Sequence, residues 1–133
     1  MVSAPRVVTA AIARRDGLVL IARRGPRQKL AGLWEFPGGK LEGGETPEHC
    51  LARELREEFG IEVVVEKFFM NSVYRYGHGS IDLHAYFVHW PDQPHELHVH
   101  DEIRWVESAQ LLDHALAPAD IPIAAALAEF LPG

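Results

Sequence analysis

The sequence of 133 residues has a single cysteine, Cys50, and therefore cannot form an intrachain disulfide. A chain without disulfides suits a reducing cytoplasm, and we expect that location. Long apolar runs are lacking as well, since the first apolar stretch, residues 7–13, is ended by Arg14 and Arg15. This stretch is too short to cross a bilayer and lacks the layout of a signal peptide, so it predicts a strand and no membrane segment.

Positive charge is scarce in this chain. Thirteen Lys and Arg residues stand against nineteen Asp and Glu, which gives a formal net charge of -6. A polynucleotide partner would gain no electrostatic help from such a molecule, and we expect none. A small anionic ligand remains compatible, because a bound cation can invert the local field. Internal repeats and linkers are also absent, and the length suits one domain over residues 1–133.

Turn and capping signals divide the chain into strands and helices. Asp16-Gly17 between two apolar runs predicts a β-hairpin, and Thr46-Pro47 begins a helix that Gly60 ends. The remaining patterns predict strands over 61–76, 80–90 and 102–107, and helices over 108–114 and 119–131. This order indicates an α+β fold, with a mixed sheet and helices packed on it.

The segment 25–45 reads as a long loop and carries six of the eleven glycines of the chain. A loop of this length inside a compact domain is usually either functional or disordered. Its apolar residues Leu33, Trp34 and Phe36 favour a packed, functional loop. Trp34 is best explained as a core residue, whereas Phe36, beside the glycines, is a candidate for lining a pocket.

Three acids gather on one side of the predicted helix. At roughly 100° per residue, Glu54, Glu57 and Glu58 fall within an arc of about 100°. They repel one another and oppose the helix dipole, so a bound divalent cation would explain their placement. The alternative is a solvated ion-pair network in which Arg53 orients Glu57. The acids border the apolar stripe and do not lie opposite it; the stripe comprises Ala52, Leu55 and Phe59.

The acidic helix lies inside a longer pattern. Residues 39–61 read GKLEGGETPEHCLARELREEFGI and match every fixed position of the Nudix box. The preceding GLWEFPGGK and the later segments DLHAYFV and LAPADIP resemble MutT-type nucleoside triphosphate pyrophosphohydrolases, especially their bacterial CTP pyrophosphohydrolase branch. The resemblance covers essentially the whole chain. It implies the Nudix α/β/α sandwich, with a loop–helix–loop that holds metal.

The resemblance implies a metal site on the box helix. Glu54 and Glu58 would be the principal Mg²⁺ ligands, with Mn²⁺ as a substitute ion. Glu57 would be a further ligand, or a base that acts on the attacking water. The carbonyl oxygen of Gly39 would complete the ligand set.

Other box residues would support the metal ligands and the substrate. By resemblance, Glu45 and Arg53 hold the loop and orient the carboxylates. Gly38 lets the backbone approach the phosphates closely. Lys40 and Arg24 are candidate phosphate contacts, although each could equally be a solvated surface cation.

MutT-type enzymes often take another glutamate from the loop before the last core strand. The matching position in this chain is Val99, so Asp101 or Glu102 would substitute. Glu102 is the better candidate, as a base or ligand, because other Nudix branches use a glutamate just before this strand.

Asp120 matches the place where the MutT type has an asparagine that contacts the base. An ionised aspartate only accepts hydrogen bonds, which suits the amino group of cytosine. Asp120 therefore favours cytidine-type or mixed substrates, alongside oxidised purines such as 8-oxo-dGTP. The alternative is that it merely caps the last helix.

The leading hypothesis is Mg²⁺-dependent hydrolysis of nucleoside triphosphates to monophosphate and pyrophosphate by a monomer or homodimer. Its partner would be the small-molecule nucleotide. One alternative is a Nudix hydrolase of another nucleoside diphosphate derivative. The other is a non-catalytic Nudix module that senses nucleotides.

Overall fold

The computed structural model describes residues 4–77 and 79–130. The strands of this part are β1 (Arg6–Arg15), β2 (Leu18–Arg24), β3 (Trp34–Glu35), β4 (Val64–Tyr76), β5 (Gly79–His89) and β6 (His100–Glu107). The α-helices are α1 (Pro47–Phe59) and α2 (Ile121–Phe130), and two 3₁₀ helices cover Ser108–Asp113 and Pro118–Asp120. No helix in this described part is long and apolar enough to cross a membrane.

The sheet is mixed, and β1 and β2 separate along part of their length, where the glycine-rich loop pairs with β1. Its strands run in the order β3-β2-β1-β5-β4, with β6 also paired to β2, and only the β1–β5 pair is parallel. β1 pairs with β2 only beside their shared turn. Beyond that point the backbone N–H groups of Ala11 and Thr9 donate to the carbonyls of Pro37 and Gly39, each at 2.7 Å. The loop is therefore docked on β1 by backbone hydrogen bonds.

Both faces of the sheet are covered. Ala10 and Ile12 of β1 belong to the core on the α2 side, and Ala11 and Ala13 belong to the core on the α1 side. A strand that is buried on both faces reads as a continuous apolar run, and this is how β1 reads in the sequence. The layers are thus helix, sheet and helix, and the predicted α+β class with a mixed sheet is confirmed.

Helix α1 begins and ends where its capping residues predict. The hydroxyl of Thr46 accepts a hydrogen bond from the backbone N–H of His49 at 3.2 Å. Gly60 adopts the left-handed conformation with φ 68°, and its N–H donates to the carbonyl of Arg56. The face turned to the sheet buries Cys50, Leu51, Leu55 and Phe59.

Some element boundaries differ from the predicted ones. The segment 25–45 contains the short strand β3, which forms by pairing with β2 and is too short for any periodicity to predict. The predicted helix 108–114 is a 3₁₀ helix, and α2 begins at Ile121 after a separate 3₁₀ turn. The predicted end of that last helix, Leu131, lies outside the described residues.

Candidate functional site

Arg53 ties the glycine-rich loop to helix α1. Its Nε and Nη2 atoms donate to the two carboxylate oxygens of Glu45, at 2.6 and 3.0 Å. Its Nη1 atom donates to Glu54 at 3.1 Å and to Glu57 at 3.2 Å. A bidentate pair fixes orientation as well as distance, and its hydrogen bonds are the main reason that the pKa of Glu45 falls to about 2. The structure therefore brings these four predicted site residues together.

The two glycines of the loop lie where no side chain fits. A Cβ atom at Gly38 would overlap the carbonyl oxygen of Thr9, and one at Gly39 would overlap the carboxylate of Glu54. The Gly39 carbonyl itself accepts from the backbone N–H of Thr9 at 2.7 Å and from its hydroxyl at 3.0 Å. This carbonyl is thus directed at β1, which disfavours the predicted role of Gly39 as a metal ligand. Because carbonyls alternate along an extended segment, we infer that the Gly38 carbonyl points away from β1.

Glu58 is the most deeply buried acid of helix α1. Its Oε2 atom has no hydrogen-bond partner within residues 4–77 and 79–130. Burial, and after it the neighbouring charges of Glu35 and Glu54, raise the pKa of Glu58 to about 9. An unsatisfied buried carboxylate is costly, so each such case needs an explanation. A divalent cation held between Glu58 and Glu54 supplies one, because hard cations bind carboxylate oxygens.

The third acid, Glu57, does not join the other two. Its side chain is 59% exposed, and Arg53 holds its carboxylate at the helix surface. The described residues contain no group of three His, Cys, Asp or Glu side chains placed to hold an ion. A Mg²⁺ site does not need three, because this ion is often bound by one or two carboxylates together with substrate phosphates. The residues present therefore fit a divalent ion bound with its substrate.

Glu35 joins the site, although the sequence patterns did not single it out. Its Oε1 atom accepts from Nη1 of Arg24 at 3.0 Å, and its Oε2 atom lies 2.8 Å from Nε2 of His100. Glu35 is also, after burial, the largest cause of the raised pKa of both Glu58 and Asp120. Arg24 is thereby brought to the site as predicted, in contact with an acid that was missed.

A signal for Glu35 was present in the sequence. Trp34 and Phe36 on either side of it are buried in the core on the α2 side. Successive residues of an extended strand point to opposite faces, so Glu35 must face the α1 side, where the acids of helix α1 lie. Applying strand alternation to this stretch would have identified it. The side chain of Phe36, a candidate for lining a pocket, is buried in the core, and its backbone N–H donates to Asp120.

Asp120 clamps the start of helix α2 to the sheet. Its carboxylate is buried, and Oδ2 accepts from the backbone N–H of Phe36 at 2.9 Å, 84 positions away. This bond crosses the fold, so the carboxylate does more than cap its own helix. Burial, and then the charge of Glu35, raise the pKa of Asp120 well above its ordinary value. Burial, and then the charge of Asp120, raise the pKa of Tyr76 of β4 as well.

Glu102, the predicted base or ligand, lies outside this cluster. Its carboxylate pairs with Arg104 at 2.8 Å and with Arg23 at 3.5 Å. Both guanidinium groups lie over the ring of Trp34, which belongs to the core on the α2 side. Strand alternation therefore directs Glu102 away from helix α1. Lys40 is exposed at the edge of the glycine-rich loop.

Comparisons with known proteins agree with this fold. A model of the NUDIX domain matches residues 8–126. The CTP pyrophosphohydrolase of Escherichia coli (strain K12) is 43% identical over 119 residues, which cover 87% of this chain and 86% of that protein. Putative 8-oxo-dGTP diphosphatase 2 of Mycobacterium tuberculosis (strain ATCC 25618 / H37Rv) is 38% identical over 136 residues, covering 96% and 92%. The solution structure of the E. coli ORF135 protein has a TM-score of 0.81 at 38% identity, covering 94% of this chain and 89% of that one. The predicted resemblance and fold are confirmed.

The buried Glu58 predicts that the metal-free protein loses stability as pH rises. Its folded-state pKa of about 9 lies above the ordinary value of 4.5, so the folded state retains a proton that the unfolded chain releases. The contribution of this group to stability is therefore complete below about pH 4.5 and is lost as pH rises towards about 9. We expect the Tm in the presence of a chelator to fall across this window, and Glu58→Gln to flatten the fall.

The matched control is Glu62→Gln. Glu62 is an exposed acid that pairs with Arg56 just beyond the same helix. This variant should keep the wild-type slope of Tm against pH. An equal slope in Glu58→Gln and in the wild-type protein would show that Glu58 is not the buried acid responsible.

Proposed function

The chain belongs to the Nudix domain family, and on that premise we propose that it is a metal-dependent nucleoside triphosphate pyrophosphohydrolase. Its products would be a nucleoside monophosphate and pyrophosphate. The observation that carries the proposal is the buried carboxylate of Glu58, which has an unsatisfied oxygen beside Glu54 in a complete Nudix box. The names of the relatives, CTP pyrophosphohydrolase and 8-oxo-dGTP diphosphatase, support a nucleotide substrate.

Nudix hydrolases use divalent metal ions, and Mg²⁺ is the ion that we propose here, with Mn²⁺ as a substitute. Oxygen is the donor on both acids, Glu54 and Glu58, and this donor set suits a hard cation. When bound, the ion neutralises charge on the triphosphate and makes the phosphorus more open to attack. The two carboxylates hold it, and Arg53 fixes the orientation of Glu54.

Proton transfer and phosphate binding are assigned to other groups of the chain. Nη1 of Arg53 contacts both Glu54 and Glu57, so Glu57 is held next to a proposed metal ligand and is our candidate to accept the proton of the attacking water. We assign this step to Glu57 and not to Glu102, because Glu102 pairs with arginines on the opposite face of the sheet. Arg24 and Lys40 are the proposed phosphate contacts.

Asp120 is the proposed contact of the base. Its raised pKa favours the neutral acid, which offers both a donor and an acceptor, as an asparagine would. The acceptor suits the amino group of cytosine or the N7–H of 8-oxoguanine, and the donor suits a carbonyl oxygen such as O6. We therefore propose both cytidine-type triphosphates and 8-oxo-dGTP as substrates, in a role that clears unwanted nucleotides from the pool.

The setting of the enzyme follows from the same proposal. A free nucleotide is its partner, in the cytoplasm, and no polynucleotide is required. One domain over residues 1–133, as a monomer or homodimer, would suffice for the activity, since every residue assigned above comes from a single chain.

The activity is tested with Mg²⁺ and a panel of CTP, dCTP, 5-substituted dCTPs and 8-oxo-dGTP, by following pyrophosphate release. We expect the wild-type protein to hydrolyse at least one of them at millimolar Mg²⁺. Glu58→Gln should fold and lose about 100-fold or more in kcat, because a metal ligand is removed.

Glu62→Gln serves as the control again, since it changes the same charge at an exposed position and should keep wild-type turnover. No release from any member of the panel by the wild-type protein would refute the proposed activity. Normal turnover by Glu58→Gln would refute the assignment of the metal site.

The base contact is tested with Asp120→Asn. The neutral wild-type acid donates as the amide does, so at pH 7 we expect the ratio of kcat/KM for 8-oxo-dGTP over that for CTP to change by less than about twofold. At pH 9 more of the wild-type carboxyl is ionised and has lost its donor, so we expect the ratio of the variant to exceed that of the wild-type protein by up to about tenfold. An unchanged ratio at both pH values would assign Asp120 to the clamp on Phe36 alone.

A further inference from the structure

Three side chains from three neighbouring strands form a hydrogen-bonded triad on the α1 side of the sheet. Arg24 ends β2, Glu35 ends β3 and His100 begins β6. Glu35 lies between the other two, 3.0 Å from Nη1 of Arg24 and 2.8 Å from Nε2 of His100. Each carboxylate oxygen of Glu35 is thereby used once, so the carboxylate cannot rotate without breaking a contact.

His100 is the fully buried member of this triad. Its side chain is 0% exposed, and its ring stacks on Phe59 of helix α1 at 5.2 Å between centroids with an interplanar angle of 9°. Its Nδ1 atom has no hydrogen-bond partner in the described part of the chain. Glu35 is thus the polar contact recorded for this buried imidazole, which favours the tautomer that donates from Nε2.

Arg24 is the partly exposed member of the triad. Nε donates to the carbonyl of Lys29 and Nη1 donates to Glu35. Within residues 4–77 and 79–130 no bond is recorded for Nη2, and the side chain is 22% exposed. A β-bulge between Arg23 and Arg24 places Arg24 opposite His100, and bulges commonly re-aim a side chain in this way. The guanidinium is thus held on two sides while one donor group remains available.

Arg24 is linked by contacts to the proposed base site. It donates to Glu35, and the backbone N–H of the next residue, Phe36, donates to Asp120. The charge of Arg24 also acts on Glu58 and Asp120, where it partly offsets the rise in pKa that burial causes. A nucleotide that spans these two acids would pass the free side of the guanidinium. Burying an ion pair together with a histidine is costly, and apolar side chains would join the same strands more cheaply. This cost is explained if the triad of Arg24, Glu35 and His100 has a binding role.

We propose that Glu35, held by His100, is a positioning residue that fixes Arg24 for contact with the phosphate or sugar of the nucleotide. This inference rests on the proposed function, because it assumes that a nucleotide bridges the metal site and Asp120. Glu35 acts through Arg24 and does not itself touch the substrate. Removing its charge should therefore weaken nucleotide binding and leave the reacting groups in place.

A double-mutant cycle on Glu35→Gln and Arg24→Gln tests this arrangement. The first measurement is the calorimetric affinity of the metal-free protein for CMP and 8-oxo-dGMP. We expect each single variant to weaken binding of at least one of them by tenfold or more, and the double variant to bind no more weakly than Arg24→Gln alone. In turnover, Glu35→Gln should raise KM by a similar factor and keep kcat within about threefold.

The His100 variants and one control separate positioning from folding. His100→Gln keeps a donor for Glu35 and should retain most of the affinity, whereas His100→Leu should lose several-fold if it folds. Glu62→Gln removes an exposed acid from an arginine pair and should bind as the wild-type protein does. Thermal unfolding of every variant establishes that it is folded before its affinity is interpreted.

Any one of three results would overturn the inference. The affinity of Glu35→Gln could lie within twofold of the wild-type affinity, the effects of the two substitutions could be additive in the cycle, or the wild-type protein could bind neither monophosphate. A wild-type protein that binds monophosphates but hydrolyses no triphosphate would refute the proposed function, while the binding cycle would still decide the role of Glu35.

Discussion

The burial of the Glu58 carboxylate is the constraint on which the rest of the site depends. An acid in that position is unfavourable for an isolated protein, and several contacts keep it there. Gly60 ends helix α1 immediately beyond it, and the backbone N–H of His98 donates to the Glu58 carbonyl at 3.2 Å. The N–H of Glu96 donates to the carbonyl of Phe59 at 2.9 Å, so the loop before β6 fastens the last turn of the helix. The fold thus holds carboxylates whose negative charge a bound cation can neutralise. Such a cation would let a chain of net charge -6 bind a triphosphate.

Two arginines, each paired with a glutamate, hold other parts of the site in place. Arg53 pairs with Glu45 and holds the glycine-rich loop against helix α1, beside Glu54. Arg24 pairs with Glu35, the neighbour in sequence of Phe36, whose backbone N–H donates to Asp120. Each arginine is oriented by a glutamate close to it in sequence, so each is fixed before substrate arrives. Preorganised donors of this kind cost little reorganisation when charge develops on a substrate.

How much of this could be predicted from the sequence depends on how local each feature is. The bounds of α1 follow from a Thr cap and a terminal glycine, and the clustering of its acids follows from helical spacing, so both were predictable. The contact of Glu35 with His100 joins residues 65 positions apart and exists only because β3, β2 and β6 lie side by side. The position of Glu102 depends on which face of β6 it occupies, and register decides that. The direction of the Gly39 carbonyl likewise depends on its pairing with β1.

The proposed reaction cleaves a nucleoside triphosphate so that pyrophosphate leaves as one unit. It is tested most directly by a ³¹P NMR time course of the wild-type protein with 8-oxo-dGTP, and separately with CTP, at millimolar Mg²⁺. We expect nucleoside monophosphate and pyrophosphate to appear together in equal amounts from at least one of the two. Release of inorganic phosphate with a nucleoside diphosphate, or no reaction with either substrate, would contradict the proposed reaction.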